Sequence, residues 1–168
     1  MTPHRTLWRR WSLTAAGIGL AAGALVAADR PTLALVNESP SLPRGLYLRS
    51  RGDVGRGSIV AIAQPERVRR YLARLGMPSE VLLVKRVAAV GGDRVCADSR
   101  VVRTPGRRVL RVARDGEGVA LPTWNQCRLL ADDELFLLGD TPGSFDSRYF
   151  GPVLRDEARG VYREVLTW

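Results

Sequence analysis

The chain has 168 residues but only one lysine, Lys85, and only one histidine, His4. Of its 26 Lys and Arg residues, that single lysine leaves 25 arginines. A lone histidine at position 4 rules out a Ser-His-Asp arrangement in the body of the chain. It also leaves the two cysteines, Cys96 and Cys127, without the histidine partners a zinc site would use. Acidic residues are scarce too: 17 Asp and Glu give a net charge of +9. That balance suits contact with anionic lipid, but the charge is spread along the chain and singles out no nucleic acid. There are no internal repeats and no low-complexity tracts. The 45% hydrophobic content is that of a chain with a real core, and the length supports one domain with room for a small subdomain.

One stretch lacks charge altogether. Residues 12–28, "SLTAAGIGLAAGALVAA", follow a tail (1–11) with three arginines and no acid. As a helix it would rise about 25 Å, slightly short of the roughly 30 Å hydrocarbon layer. Trp11 stands where an interfacial aromatic belongs. The positive flank puts residues 1–11 in the cytoplasm and residues 29–168 on the far side of a bacterial inner membrane. Two readings of 12–28 stand side by side: a retained transmembrane helix or signal anchor, and a cleaved signal peptide with Ala22-Gly23-Ala24 as its site. Either places Cys96 and Cys127 in an oxidising compartment, where an even cysteine count predicts one disulfide.

The remainder reads as mainly β. Residues 31–50 suggest strand, tight turn, strand, and 55–63 a further strand. In 65–76, Val68, Leu72 and Leu75 recur at helical spacing between Pro65 and Gly76, which predicts a short amphipathic helix. Residues 80–90, "EVLLVKRVAAV", are apolar and β-branched, as in a buried strand. Strand-like pieces at 100–103, 107–114 and 118–121 alternate with Gly and Pro turns. Cys96 and Cys127 bracket them, so 96–133 reads as a small β subdomain stapled at its base. Residues 134–140 return as a core strand. A polar loop, "TPGSFDSRYFGPV", follows, and 158–168 form a closing strand.

Lys85 sits inside the apolar run. Arginine holds its proton in any protein environment, whereas a buried lysine can release it. Lysine is therefore able to act as a general base where arginine is not. The competing explanation is compositional: an arginine-biased gene in which one lysine survived. A serine activated by a lysine is a known nucleophile scheme. The serine best placed for it is Ser41, between Pro40 and Pro43, on a chain whose backbone is pinned on both sides.

"SPSLPRGLY", "LLVKRVAAVGGD" and "LLGDTPGSFDSRYFGPV", in that order, resemble the three signature blocks of the signal peptidase I clan of Ser-Lys peptidases. The third block keeps Gly139, Asp140, Ser144, Asp146, Ser147, Arg148 and Gly151. It departs at Thr141 and Pro142, where general leader peptidases usually have Asn and Arg. The Ser-Leu-Pro-x-Gly-x-Tyr form of the first block is similar to the conjugative-transfer, TraF-type branch. The resemblance implies a signal-peptidase-like β-fold with Ser41 as nucleophile and Lys85 as general base. The Ser41 N–H and the Ser39 hydroxyl match oxyanion donors, although Ser39 could simply bond its own turn. Ser144 matches a hydroxyl that orients the lysine. Asp146 and Arg148 match a supporting ion pair, and Asp140 belongs to the same loop without a proton role.

The expectation is a membrane-anchored serine endopeptidase, without metal or other cofactor, facing the periplasm. Its partners would be exported protein precursors, pilin-like by the resemblance, together with inner-membrane lipid and other proteins of a transfer apparatus, but not nucleic acid. Two alternatives remain open: a general signal peptidase that removes leader peptides, and a catalytically inactive basic component of a transfer complex.

Overall fold

The structure, a computed structural model, describes residues 32–168. The expected tail and apolar span at 1–28 lie outside the described residues. Among the described residues, no helix is long and apolar enough to cross a membrane.

In chain order the strands are β1 (Ala34–Asn37), β2 (Gly45–Ser50), β3 (Ile59–Ile62), β4 (Leu83–Val90), β5 (Arg94–Ala97), β6 (Val101–Thr104), β7 (Arg107–Leu110), β8 (Cys127–Leu129), β9 (Glu134–Leu138), β10 (Val153–Leu154) and β11 (Ala158–Thr167). Helix α1 (Glu66–Arg74) follows β3, and the one-turn α2 (Ser147–Phe150) follows β9. The larger sheet has the order β1-β2-β11-β3-β4-β9-β10, and the smaller one β7-β6-β5-β8. Every strand pair is antiparallel.

Strands whose residues are all apolar must be covered on both faces. β3 is buried at every position, and β4 at all but Arg86 and Val90. On β4, Leu83 and Val87 face a cluster with Val60, Leu135, Leu137 and the α1 residues Val68 and Leu72. Val84 faces the other way, onto Leu42, Tyr47, Ile59 and Tyr162. Lys85 lies between Leu83 and Val87 in the two-residue alternation, so it shares their apolar side. A register shift between Val87 and Ala89 then turns Ala89 toward a third cluster, with Val95, Val102, Phe136 and Leu138. That shift sends the second half of β4 to the small sheet while the first half serves the α1 side.

Helix α1 ends where Gly76 takes φ +73°. There the Met77 N–H bonds the Leu72 carbonyl and the Gly76 N–H bonds the Ala73 carbonyl, the Schellman pattern. Leu75, read above as part of the apolar face, is 49% exposed, because the helix has already turned off at that residue. Cys96 and Cys127 form a disulfide between directly opposed residues of β5 and β8.

Two readings of the sequence need correction, and one strand had no reading at all. Residues 118–121 form no strand and contribute one bridge, Arg114 to Ala120, because Asp115 gathers the surrounding backbone N–H groups into a loop. The strand at Cys127–Leu129 pairs with β5 although nothing in "CRL" announced it. The supposed polar loop after β9 is mostly interior: Ser144, Asp146, Ser147, Arg148, Tyr149 and Phe150 are all buried.

Candidate active site

Ser41 sits in the turn between β1 and β2, and Asn37 holds that turn. Its Nδ2 donates to the carbonyls of Ser39, Leu42 and Pro43 at 2.9, 3.2 and 3.0 Å. Its Oδ1 accepts from the Ser39 N–H at 3.2 Å. From the β2 side, the Tyr47 hydroxyl donates to Pro43 O at 2.6 Å. Two buried side chains thus satisfy the backbone of a loop too tight to bond itself. Ser41 is presented at the end of it, 3% exposed.

Lys85 meets Ser41 from β4. Its Nζ donates to Ser41 Oγ at 2.8 Å, and Lys85 as a whole is 4% exposed. Burial among apolar groups pushes its pKa down to about 8. The Asp146 carboxylate opposes that shift and the Arg148 guanidinium reinforces it. A substantial neutral fraction at mildly alkaline pH follows, which is what a base acting on a serine requires.

Ser39 completes the group. Its Oγ donates to Ser41 Oγ at 2.9 Å and accepts from the Ser41 N–H at 3.3 Å. The two groups matched to oxyanion donors therefore satisfy one another and the Ser41 oxygen.

The loop after β9 closes the site. The Asp140 N–H donates to the Ser41 carbonyl at 2.6 Å. A Cβ on Gly139 would overlap the Ser144 side chain and lie 2.8 Å from that same carbonyl. Asp146 caps α2, and its Oδ2 accepts from the Gly139 N–H at 2.8 Å. Arg148 binds the Asp146 carboxylate at 2.7 and 2.8 Å and donates to the carbonyls of Thr141, Pro142 and Leu110. The pair is buried and fully hydrogen-bonded, the condition under which a buried ion pair is tolerated. The structure thus gives Asp146 and Arg148 a positioning geometry, not contact with Ser41.

One of the loop residues differs from what the resemblance implies, and Asp140, given no proton role there, is engaged elsewhere. Ser144 is buried, but its Oγ makes no hydrogen bond, to Lys85 or to any other group. It is turned into the space that the missing Cβ of Gly139 leaves open. The Asp140 carboxylate points away from the dyad and pairs with Arg86 at 2.8 Å and Arg107 at 3.5 Å. Arg107, from β7 of the small sheet, also donates to the Gly139 carbonyl at 3.1 Å.

Sequence reasoning passed over Asn37, Tyr47 and Arg107. An Asn at a strand end two residues before Ser39 is an Asx-turn signal and marks Asn37. Tyr47 was in the quoted block without a role. Arg107, one of 25 arginines, carried no signal.

Ser39, Ser41, Lys85 and Ser144 border a cleft of about 610 Å³ whose other walls are largely apolar, among them Leu72, Val84 and Phe145. A separate pocket of about 400 Å³, around Arg67, Trp124 and Arg128, holds none of these groups. Among the described residues, no cluster of three or more His, Cys, Asp or Glu side chains could hold a metal ion.

The family model described as "Signal peptidase, peptidase S26" matches residues 6–168. A plasmid transfer protein TraF of Escherichia coli is 35% identical over 148 residues, covering 80% of this chain and 84% of the relative. A second E. coli plasmid transfer protein TraF is 32% identical over 170 residues, covering 92% and 96%. A conjugal transfer protein TraF of Agrobacterium tumefaciens is 33% identical over 174 residues, covering 95% and 97%. Among solved structures, a signal peptidase I of Enterococcus faecalis is 22% identical, covering 67% of this chain and 98% of that one, with a TM-score of 0.39.

Proposed function

The chain belongs to the peptidase S26 signal peptidase family, and from that premise we propose that it is a serine endopeptidase with Ser41 as nucleophile and Lys85 as general base. The observation that carries this reading is the 2.8 Å contact between Lys85 Nζ and Ser41 Oγ, both buried.

In this mechanism the neutral amine of Lys85 takes the Ser41 hydroxyl proton as Oγ bonds the substrate carbonyl carbon. The oxygen that becomes negative displaces the Ser39–Ser41 contacts and receives the Ser41 N–H and the Ser39 O–H. As the C–N bond breaks, the Lys85 ammonium protonates the leaving amine. Water, or another amine, then attacks the acyl ester while Lys85 again takes the proton. Asp146 and Arg148 hold Gly139 and its neighbours, and through the Asp140 N–H they hold the Ser41 carbonyl. Ser144, unpartnered at rest and lining the same cleft as Lys85, is the hydroxyl we assign to orienting the amine.

Signal peptidases act on exported precursors with small residues at the cleavage site. The names of the TraF relatives point to conjugative transfer, so the substrate class we assign is a pilin-like precursor. Residues 12–28 would anchor the enzyme in the inner membrane, with residues 29–168 as its periplasmic peptidase domain and 96–133 as an inserted β subdomain.

The test is mass spectrometry of a conjugative pilin precursor co-expressed with the wild-type chain and with Ser41→Ala. The expected result is a shortened product with the wild type and the intact precursor with the variant. An intact precursor in both would favour a binding component without peptidase activity.

A further inference from the structure

The segment Gly143–Phe145 separates two cavities. One is the cleft that contains Lys85 and Ser41. The other is a pocket of about 440 Å³ on its far side, and Gly143 and Phe145 line both. Phe145 is a fixed partition: its ring stacks on Tyr71 at 4.9 Å and on Tyr149 at 5.4 Å. The rest of the wall is supplied chiefly by Leu75 at the end of α1, and by Val112 and Leu121 from the chain that leaves the small sheet.

The charged residues beside this pocket are already engaged. Asp115 accepts from the Tyr71 hydroxyl at 3.0 Å and from the N–H groups of Glu117 and Val119. Arg114 donates to the Gly118 carbonyl at 2.7 Å. Leu75 and Val112, in contrast, stand in water at 49% and 58% exposure. Apolar side chains rimming a pocket that shares a wall with a reaction cleft mark a surface that binds.

We propose that this pocket is a second specificity subsite, which takes an aliphatic or aromatic side chain of the substrate polypeptide a few residues from the scissile bond. The inference rests on the peptidase reading of the cleft. An extended substrate lying over Gly143 would present alternate side chains to the protein, one in the cleft beside Ser41 and a later one beyond Phe145. The two charged side chains of the lining, Arg114 and Asp115, bond groups of the protein itself, so the selection is for apolar character.

The test measures binding to the Ser41→Ala protein, so that its outcome is independent of turnover. The probes are fluorescein-labelled peptides with an Ala-Ser background, in which a single Leu is walked through every position. Leu at one position should tighten binding about tenfold over Ser, the scale of burying one aliphatic side chain. Leu75→Glu and Val112→Glu, each added to Ser41→Ala, should remove that preference while leaving affinity for the all-polar peptide unchanged. Both positions are exposed, so unchanged thermal midpoints are expected. Equal affinity at every position, absence of binding included, overturns the proposal. So does a preference that survives both Glu substitutions.

Discussion

The Ser144 side chain fills the space that a Cβ on Gly139 would occupy. These two residues, together with the Ser41 carbonyl beside them, form a contact in which no atom can be added. Gly139→Ala must therefore displace either Ser144 or the Ser41 backbone. We expect a loss of cleavage of at least about 100-fold, the cost typical of misplaced reacting groups. Rotation of Ser144 would move its Oγ but not its Cβ, which lies 2.5 Å from the added atom, so the backbone must shift and the thermal midpoint should fall as well, by several degrees (about 2–8 °C per kcal/mol lost). Cleavage rate and thermal melt of the same preparation check this, and near wild-type cleavage would mean that the contact relaxes without consequence.

Asn37 is the second prediction. Asn37→Ala removes the acceptor of one N–H and the donor for three carbonyls in the Ser41 turn. Leaving buried backbone groups unpaired costs about 1–3 kcal/mol. Denaturant unfolding should show that loss, and cleavage should fall with it because the turn presents Ser41. Asn37→Asp keeps the Ser39 acceptor but loses the donors, so it should be intermediate or worse.

How much of this was legible in advance depends on the length of each signal. The central strands were readable because "IVAI" is wholly apolar and "LLVKRVAAV" is apolar but for Lys85 and Arg86, a density that a doubly covered strand accommodates. Helix α1 was readable from Val68 and Leu72, with Gly76 as its stop. Helix α2 was not, since four residues hold barely one helical period and "DSRY" reads as polar until Arg148 is seen paired with Asp146. β8 is three residues long, and its place beside β5 depends on a partner thirty-one positions away. The Lys85–Ser41 contact joins residues 44 positions apart. Residue type marked each of them, but only the sheet register brings them together.

The third prediction concerns the energetic cost of the buried amine. In the unfolded chain Lys85 titrates near 10.5, and in the folded protein near 8. Below about pH 8 the unfolded state holds the proton more tightly, so the buried lysine destabilises the fold by on the order of 3 kcal/mol. That penalty fades as pH rises from about 8 toward 10.5. Lys85→Met should accordingly be more stable than wild type at pH 7, by about 1–3 kcal/mol, and the gap should narrow with rising pH. Thermal unfolding of both proteins between pH 6 and pH 10 reads this directly, taking the pH range from those two pKa values. A gap that widened with pH would reverse the assignment of the buried charge.

The fourth prediction addresses the disulfide. Cys96 and Cys127 close a loop of sequence separation 31, and chain-entropy reasoning assigns such a loop about 3–4 kcal/mol. Replacing both by Ala should lower unfolding free energy on that scale. The small sheet that contains them also supplies Arg107, which bonds the Gly139 carbonyl. Cleavage by the double variant should therefore fall before the protein as a whole unfolds. Urea titration followed in parallel by cleavage and by circular dichroism would reveal the separation, and coincident curves would argue against it.

The central claim is that Lys85 acts as a base toward Ser41, and cleavage across a pH series by wild type, Lys85→Arg and Lys85→Ala tests it most directly. Arginine preserves the charge but cannot release a proton at any working pH. Wild-type kcat/KM should rise with pH through about 8, where the buried amine becomes neutral, and both variants should be inactive throughout. A Lys85→Arg protein with near wild-type rates, or a wild-type profile flat from pH 6 to pH 10, would contradict the account.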